Sequence, residues 1–463
     1  MTTRALVIGG SMAGLLSARV LSDHFDEVTI IERDHYPEMP EVRSGVPQAR
    51  HVHALLARGE EIMEQLFPGL GLDFERAGMI KYEWGTDSAY LTAGGWLKRF
   101  NTGIHTHMGS RALVDFVIRQ RLIQDCQVKF LEGQQVDGLI AAADNGRVIG
   151  VQMTERGGAR TQTTLTADLI VDASGRGSKA ADWLTSVGYS APEESTVNSY
   201  VGYATRWYEK PEDPAIDWRI MFILARPPHI TRGAAIFEVE GGQWIATLGG
   251  VSKDYPPLDE AGWLEYSKGL PTDAFYEAVK NAKPISDISG YQRTQNHWRH
   301  YEKLDRFPDG FLIVGDAVCA FNPIYGQGMT IAALDALLLD QTCKSKRIGT
   351  PGLSLKFQRD LGASLQTVWL MATGEDLRYP ATEGYTPDLM TRLLQKYVDQ
   401  VGRILPNDEA VALAFIDVSN LRKPPTSLFT PAIMGKVLRQ ALTPRPPALG
   451  GRESAPMPRL IHE

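Results

Sequence analysis

Apolar residues run almost unbroken in "RALVIGG", recur at helical spacing in "SMAGLLSARVL", and run again in "EVTIIERD". Two apolar runs flanking a helical pattern within about 30 residues predict a strand–helix–strand unit. Apolar positions three and four apart return in "HVHALLARGEEIMEQLFPG", halted at Pro68-Gly69, and in "SRALVDFVIRQRLIQD", so both segments read as helices. The next stretch, "CQVKFLEGQQVDGLIAAADNGRVIGVQMTE", carries shorter strand-like runs, with Asn145-Gly146 marking a hairpin. Both "ADLIVDASGRGSKAADWL" and "FLIVGDAVCAFNPIYGQGMTIAALDALLLDQ" pass from a buried strand through a glycine-bearing turn into a helix.

Between them lie segments of a different texture. Residues 81–100 alternate aromatic and polar positions around Gly94-Gly95, and 197–288 is dominated by strand-like runs such as "GAAIFEVEGGQWIATLGGV", with one helical stretch near "DEAGWLEYSKGL". Beyond Gly349 the pattern is helical, in "LSLKFQRDLGASLQTVWLMATGEDL" and "PDLMTRLLQKYVDQVGRIL", and the last twenty residues, rich in Pro and Gly, are expected to be loosely held. The expected fold is α/β. A Rossmann-like three-layer domain around a parallel sheet takes residues 1–80, 106–190 and 295–345; an inserted sheet-based substrate domain takes 81–105 and 191–294; a helical C-terminal region takes 346–463.

Composition narrows the partners. The 463 residues are 43% hydrophobic and 22% charged, an ordinary globular balance, and a net charge of -7 argues against a basic surface for nucleic acid. Cys126, Cys319 and Cys343 lie far apart with no CxxC pair, which argues against a disulfide framework and fits a reducing cytoplasm. No run reaches the roughly 18 apolar residues of a membrane span, and the N-terminus has no leader pattern, so neither secretion nor integral insertion is expected. A small molecule is the expected partner.

In "VIGGSMAG", Gly9 and Gly14 hold the outer positions of a G-x-G-x-x-G turn between strand and helix, with Ser11 where the middle glycine would be. Such a turn exposes backbone N–H groups at a positive helix end, which suits a diphosphate, and Glu32 at the end of the second strand can accept hydrogen bonds from a ribose diol. In "VGDAVCAFNPIYGQG", Asp316 at a strand end can bond a polyol, and Gly326 and Gly328 expose N–H groups at the start of a helix, suited to a developing anion. Aromatic residues in the strand-rich segments, Trp84, Trp96, Tyr203, Trp207, Phe222 and Trp244, are candidates for a pocket wall or for core packing.

Two His-x-His pairs, His51/His53 in "GVPQARHVHALL" and His105/His107 in "GIHTHMGS", raise the alternative of a metal clamp. On a strand, residues two apart share a face, but no carboxylate completes a recognisable ligand pattern, so no metal is expected.

The three glycine-bearing segments together resemble the flavoprotein monooxygenase superfamily with a single dinucleotide-binding domain. Within it, "RSGVPQARHVHALL", "VDASGRGS" and "ATGEDLRYPATEG" are similar to bacterial polyene epoxidases of polyether pathways, themselves similar to squalene epoxidase. The resemblance implies FAD held by Gly9, Gly10, Ser11, Ala13 and Gly14 at the diphosphate, by Glu32 and Arg33 at the adenosine, and by Gly315 and Asp316 at the ribityl chain. It also implies Gly326, Gly328 and Met329 against the flavin ring, Arg111 at a helix start beside the cofactor, Asp172 near FAD and the nicotinamide, and Arg43 or Arg50 near the phosphates or ribityl chain. Pro323 and one of His51 and His53 would line the reaction cavity.

The implied chemistry passes one oxygen atom of O2 from a flavin 4a-hydroperoxide to a hydrophobic unsaturated or aromatic molecule, with NADPH or NADH, directly or through a partner reductase, as electron donor. Related alternatives are a reductase of isoprenoid double bonds and a halogenase, the latter lacking the Trp-x-Trp-x-Ile-Pro signature but with Lys81 in a region where a catalytic lysine could sit.

Overall fold

A computed structural model describes residues 2–157, 161–345, 349–442 and 457–458. Five parallel strands form the central sheet in the order Phe311–Ile313, Leu169–Asp172, Arg4–Ile8, Glu27–Ile31, Lys129–Leu131. The near-continuous apolar runs of the first four follow from burial on both faces, as parallel strands require. Helices Met12–Leu21, Arg111–Asp125 and Gly328–Ser345 pack together beside this sheet. Val136, Leu139, Val148, Val151 and Met153 of an antiparallel sheet, Gln134–Ala141, Val148–Glu155 and Gln162–Thr166, join the same core. The hairpin between its first two strands turns at Asn145, whose φ of 54° is the left-handed conformation that an Asn-Gly pair admits.

The second body is a seven-stranded sheet in the order Ser289–Tyr291, Gly202–Glu209, Gln243–Gly250, Arg232–Val239, Ile220–Ile223, Ser88–Thr92, Gly95–Trp96. Strand alternation gives it two unlike faces. Ala204, Tyr208, Met221, Ile236, Trp244 and Ala246 form the back face and pack with Trp263 and Phe275 of helices Glu260–Ser267 and Ala274–Val279. Trp207, Ile220, Phe222, Ala235, Phe237 and Ile245 form the front face and meet Val52, Ala54 and Leu56, which the chain brings over from the first body.

The helices beyond residue 346 do not pack as one unit. Leu353–Asp376 sends Phe357, Leu361, Leu365, Trp369 and Ala372 into the core of the parallel sheet. Leu389–Ile404, Glu409–Ser419 and Pro431–Leu442 instead form a separate apolar cluster with Leu97. The Pro- and Gly-rich tail, residues 444–463, lies outside the described residues except for 457–458.

Three elements differ from the periodicity reading. The helix expected from His51 begins only at Ala57: Pro47–Arg50 is a short 3-10 turn and 51–56 is non-helical, because these residues make their contacts with the second sheet rather than along a helix. Leu70–Arg76, past the Pro68-Gly69 stop, and Ala274–Val279 are further helices, seven and six residues long and too short to show a period.

Candidate active site

The turn after the first strand is built by close approach. Gly9 has a φ of 95°, and a Cβ there would lie 2.7 Å from the carbonyl oxygen of Ala173. A Cβ on Gly14 would overlap the carbonyl oxygen of Gly9, so helix and turn can meet only at glycine. Helix Met12–Leu21 starts at Ser11 with no side-chain cap, leaving its positive end to a ligand. Ser11 Oγ accepts instead from Arg111 Nη2 at 3.1 Å, and Arg111, buried, is also paired with Asp115.

Glu32 is 5% exposed and closes the far side of the turn. Its Oε2 accepts the Gly10 N–H at 2.8 Å and faces Arg43 Nη1 at 2.9 Å; its Oε1 accepts the Asp34 N–H at 3.0 Å. Arg43 Nη2 and the Tyr36 hydroxyl both donate to the Gly10 carbonyl at 2.8 Å. Arg43 thus lies at the Gly9–Gly14 turn with its guanidinium held by Glu32 and Gly10, whereas Arg33 and Arg50 are exposed.

Asp172 is fully buried. Its Oδ1 accepts the Ser174 N–H at 2.9 Å and its Oδ2 accepts the Ser178 hydroxyl at 2.5 Å, so its carboxylate holds the turn and leaves Ser174 and Gly177 exposed. Burial holds this carboxyl above the usual carboxylate range, against the pull of those two serines. Gly315, with a φ of 63°, donates its N–H to Asp335 Oδ2 at 2.8 Å from helix Gly328–Ser345. Burial pushes Asp335 up to about 7. Asp316 is half-buried, with Arg176 Nε 3.7 Å away.

The loop from Asn322 to Gly328 faces Ala54 and Leu56 of the non-helical stretch 51–56. Asn322 accepts the Ile324 N–H at 3.3 Å and starts the turn Pro323–Tyr325, after which Gly326 adopts a φ of 67°. A Cβ on Gly326 would stand 3.6 Å from Ala54 Cβ, while a Cβ on Gly328 would meet nothing within 4 Å. The open space therefore lies at Gly328, with Met329 buried behind it.

The two nearby histidines have different partners. His51 Nδ1 is 2.9 Å from Thr205 Oγ1, which is 2.7 Å from Thr247 Oγ1, and the imidazole meets Tyr203 and Tyr291 edge-on at 4.8 and 5.7 Å. His53 Nδ1 bonds the His51 carbonyl at 3.0 Å. Burial, then neighbouring Arg50, pulls His51 down to about 4; burial, then Arg111, pulls His53 down to about 3. Both imidazoles are neutral at pH 7; His53 bonds its own backbone with the Arg111 charge nearby, while His51 belongs to the sheet.

The other pair diverges too. His105 is exposed, while His107 is buried between Glu60 Oε1 at 2.5 Å and Glu75 Oε1 at 3.3 Å. Lys81 is exposed directly across the ladder from His107. Among the described residues no group of three or more His, Cys, Asp or Glu side chains is placed to hold a metal ion.

Of the six aromatic candidates, Trp96 and Trp244 belong to the back-face core, with Trp244 stacked on Trp218 at 5.2 Å. Trp84, Trp207, Phe222 and Tyr203 are on the other side, where Trp207 Nε1 donates to the Arg50 carbonyl at 3.0 Å. Half-buried Val52, Ala54, Trp207, Phe222, Ala235 and Leu413 give this side an apolar wall, with the Thr205 and Thr247 hydroxyls beside it. Sequence reading missed Thr205, Thr247, Tyr291, Asp335 and Asp376. For Asp335 a signal existed: it interrupts an apolar helix at a position that should be buried, whereas Asp376 ends its helix beside Glu375 and leaves no such mark.

The FAD binding domain family matches residues 2–342. Protein Rv3254 of Mycobacterium tuberculosis is 36% identical over 389 residues, covering 81% of this chain and 80% of that protein. Kynurenine 3-monooxygenase of Salinispora tropica is 26% identical over 445 residues, covering 89% and 90%. The solved structure of the flavin-dependent brominase Bmp2 superposes with a TM-score of 0.64 at 14% identity, over 95% of this chain and 100% of that one, a likeness of fold. No helix among the described residues is long and apolar enough to cross a membrane.

Proposed function

Because the chain belongs to the FAD binding domain family of FAD-dependent monooxygenases, we propose that it places one oxygen atom of O2 into a hydrophobic unsaturated or aromatic small molecule, by epoxidation or hydroxylation. A setting in bacterial secondary metabolism and a likeness to polyene epoxidases are part of the same reading. The observation that carries it is the meeting of the Gly326–Gly328 stretch, with open space at Gly328, and the apolar front face of the seven-stranded sheet across Val52–Leu56.

The residues fit FAD. The uncapped helix at Ser11, with Arg111 on the Ser11 hydroxyl, suits the diphosphate; Glu32 suits the adenosine ribose; Asp316, half-buried, suits the ribityl hydroxyls; Gly326, Gly328 and Met329 would stand against the ring. When bound and reduced, FAD supplies the activation of O2. The chain's own part is to orient and to exclude water. Trp207, Phe222 and Ala235 offer an apolar wall, and neutral His51 with Thr205 and Thr247 offers a short hydrogen-bonding row to turn one polar group of the substrate.

NADPH or NADH is the proposed electron donor. The test is to purify the protein, record its visible spectrum, and follow NADPH and NADH oxidation and product mass with and without O2. A yellow protein whose product gains one oxygen atom only when O2 is present is the expected result. A colourless protein that takes up no added FAD would sink the proposal, and product formation without O2 would replace it with a reductase of double bonds.

A further inference from the structure

We propose that Asp376 is the positioning residue that holds the flavin-facing loop Asn322–Gly328 in place; this rests on the FAD reading above. Asp376 ends helix Leu353–Asp376 and is 2% exposed. Its Oδ1 accepts the Tyr325 hydroxyl at 2.7 Å and Asn322 Nδ2 at 3.2 Å; its Oδ2 accepts Asn296 Nδ2 at 2.6 Å and Asn322 Nδ2 at 3.2 Å. The Ser199 hydroxyl is a further hydrogen-bond partner. Asn322 and Tyr325 bracket the turn that sets up left-handed Gly326, so the carboxylate fixes the two ends of that turn.

Asp376 also joins three parts of the chain. Asn296 opens the strand Asn296–Arg299 and donates through its amide while its Oδ1 accepts the Asn322 N–H at 2.8 Å. Ser199 lies on the connection into the seven-stranded sheet, and its carbonyl accepts the Ser252 N–H at 2.9 Å. Tyr200, Ser252 and Lys253, all beside this bond, have φ of 53°, 60° and 69°, a cluster of non-glycine residues in the left-handed region. Such backbone persists only where surrounding contacts over-determine it.

Every side chain that reaches Asp376 arrives as a donor, so an acceptor-only group is required at its centre. An asparagine there would turn an NH2 towards the amide of Asn322 or Asn296. Exchanging the pair, with Asp376→Asn and Asn322→Asp together, restores one donor to one acceptor and keeps an oxygen at 322 for the Ile324 N–H.

The test titrates apoprotein with FAD and, separately, with ADP, which reports on the dinucleotide turn alone. Asp376→Asn is expected to weaken FAD at least tenfold, leave ADP within twofold, and shift the visible band of the bound flavin. The paired exchange is expected to return FAD affinity to within threefold of the starting protein. Tyr325→Phe, which removes one donor and leaves the ring, is expected to weaken FAD about threefold and serves if Asp376→Asn does not fold. Unchanged FAD affinity and spectrum in Asp376→Asn and Tyr325→Phe, equal loss of FAD and ADP, or no recovery in the exchange would overturn the role of Asp376. A parent protein that binds ADP but no FAD would instead overturn the functional reading on which it rests.

Discussion

The turn at Gly9 and the loop at Gly326 each place a left-handed glycine, with φ of 95° and 67°, just ahead of a long helix, Met12–Leu21 and Gly328–Ser345. The first is held mostly by residues of its own strand–helix–strand unit and the stretch just after it, Gly14, Ile31, Glu32, Tyr36 and Arg43, with Ala173 and Arg111 from afar. The second is held by Asn296, 26 residues away, and by Asp376, and is covered by Ala54, the last two from far along the chain. One turn rests mostly on some forty neighbouring residues, while the other depends on Ala54 and Asp376 docking on it from far along the chain. Local turns fail by steric overlap; docked loops fail when a partner is lost.

The sharpest way to break this contrast is at its glycines. Gly14→Ala drives a methyl into the Gly9 carbonyl and is expected to cost about 3 kcal/mol or more, with FAD retention lost. Gly328→Ala, with open space around it, is expected to leave the midpoint of urea unfolding within about 0.5 kcal/mol while weakening FAD, since any loss falls on the ligand side. Urea curves of both apoproteins, with FAD titrations, check the pair; equal destabilisation would erase the distinction between the two turns.

A smaller effect is expected at the stretch that covers the loop. His51→Ala removes the Thr205 bond and two ring contacts and should cost about 2 kcal/mol, and His53→Ala about 1 kcal/mol, its bond reaching only the next-but-one carbonyl. Because both histidines are lowered by burial, they contribute stability that is present above about pH 6.5 and is lost as pH falls through about 4 for His51 and 3 for His53. The acid limb of the parent's stability curve should therefore flatten in both variants, slightly more in His53→Ala, whose imidazole is lowered further, measured as denaturation midpoints from pH 7 to 4.

Asp335 has the opposite sign. Its carboxyl is raised to about 7, so the folded protein binds the extra proton and stability falls as pH rises from about 4 to about 7, then levels off. Asp335→Asn can still accept the Gly315 N–H, and relative to the parent it should gain stability from pH 5 to pH 8. A parallel pair of pH profiles would show that the Gly315 turn does not depend on this proton.

The smallest effect concerns the second histidine pair. Burial opposes charge on His107, but Glu60 and Glu75 outweigh it and raise its pKa. That contribution is fully present below about pH 6.5 and is lost as pH rises through the folded value. His107→Gln should cost about 1 kcal/mol at pH 6 and less at pH 9, read from thermal midpoints at the two pH values.

Much of the first turn is legible in the sequence. Gly9, Gly14 and Glu32 announce themselves because an apolar strand, a glycine turn, a helix and a terminal acid lie within one short unit, and the chemistry of each depends on its immediate neighbours. The glycines at 326 and 328 were legible as a turn before a helix, but not what holds them. The Asp376 network joins residues from 199 to 376, and hydrogen-bond partners that far apart leave no periodicity to read. The segment at His51 misled the helix reading for the same reason: its helical spacing is real, and contacts with the second sheet override it.

By itself, then, the sequence determined the strand–helix–strand start, the alternating strands that make a two-faced sheet, the glycines that close approach demands, and the likeness to FAD-dependent monooxygenases. Tertiary structure alone decided that His51 turns to Thr205 while His53 keeps to its own backbone beside Arg111, that His107 sits between Glu60 and Glu75, and that Asp335 and Asp376 stand behind the turns at Gly315 and Gly326. The division follows from range: dihedral preference and steric overlap act between neighbours along the chain, whereas the burial and hydrogen bonding that set these side chains' states arise only when distant segments meet.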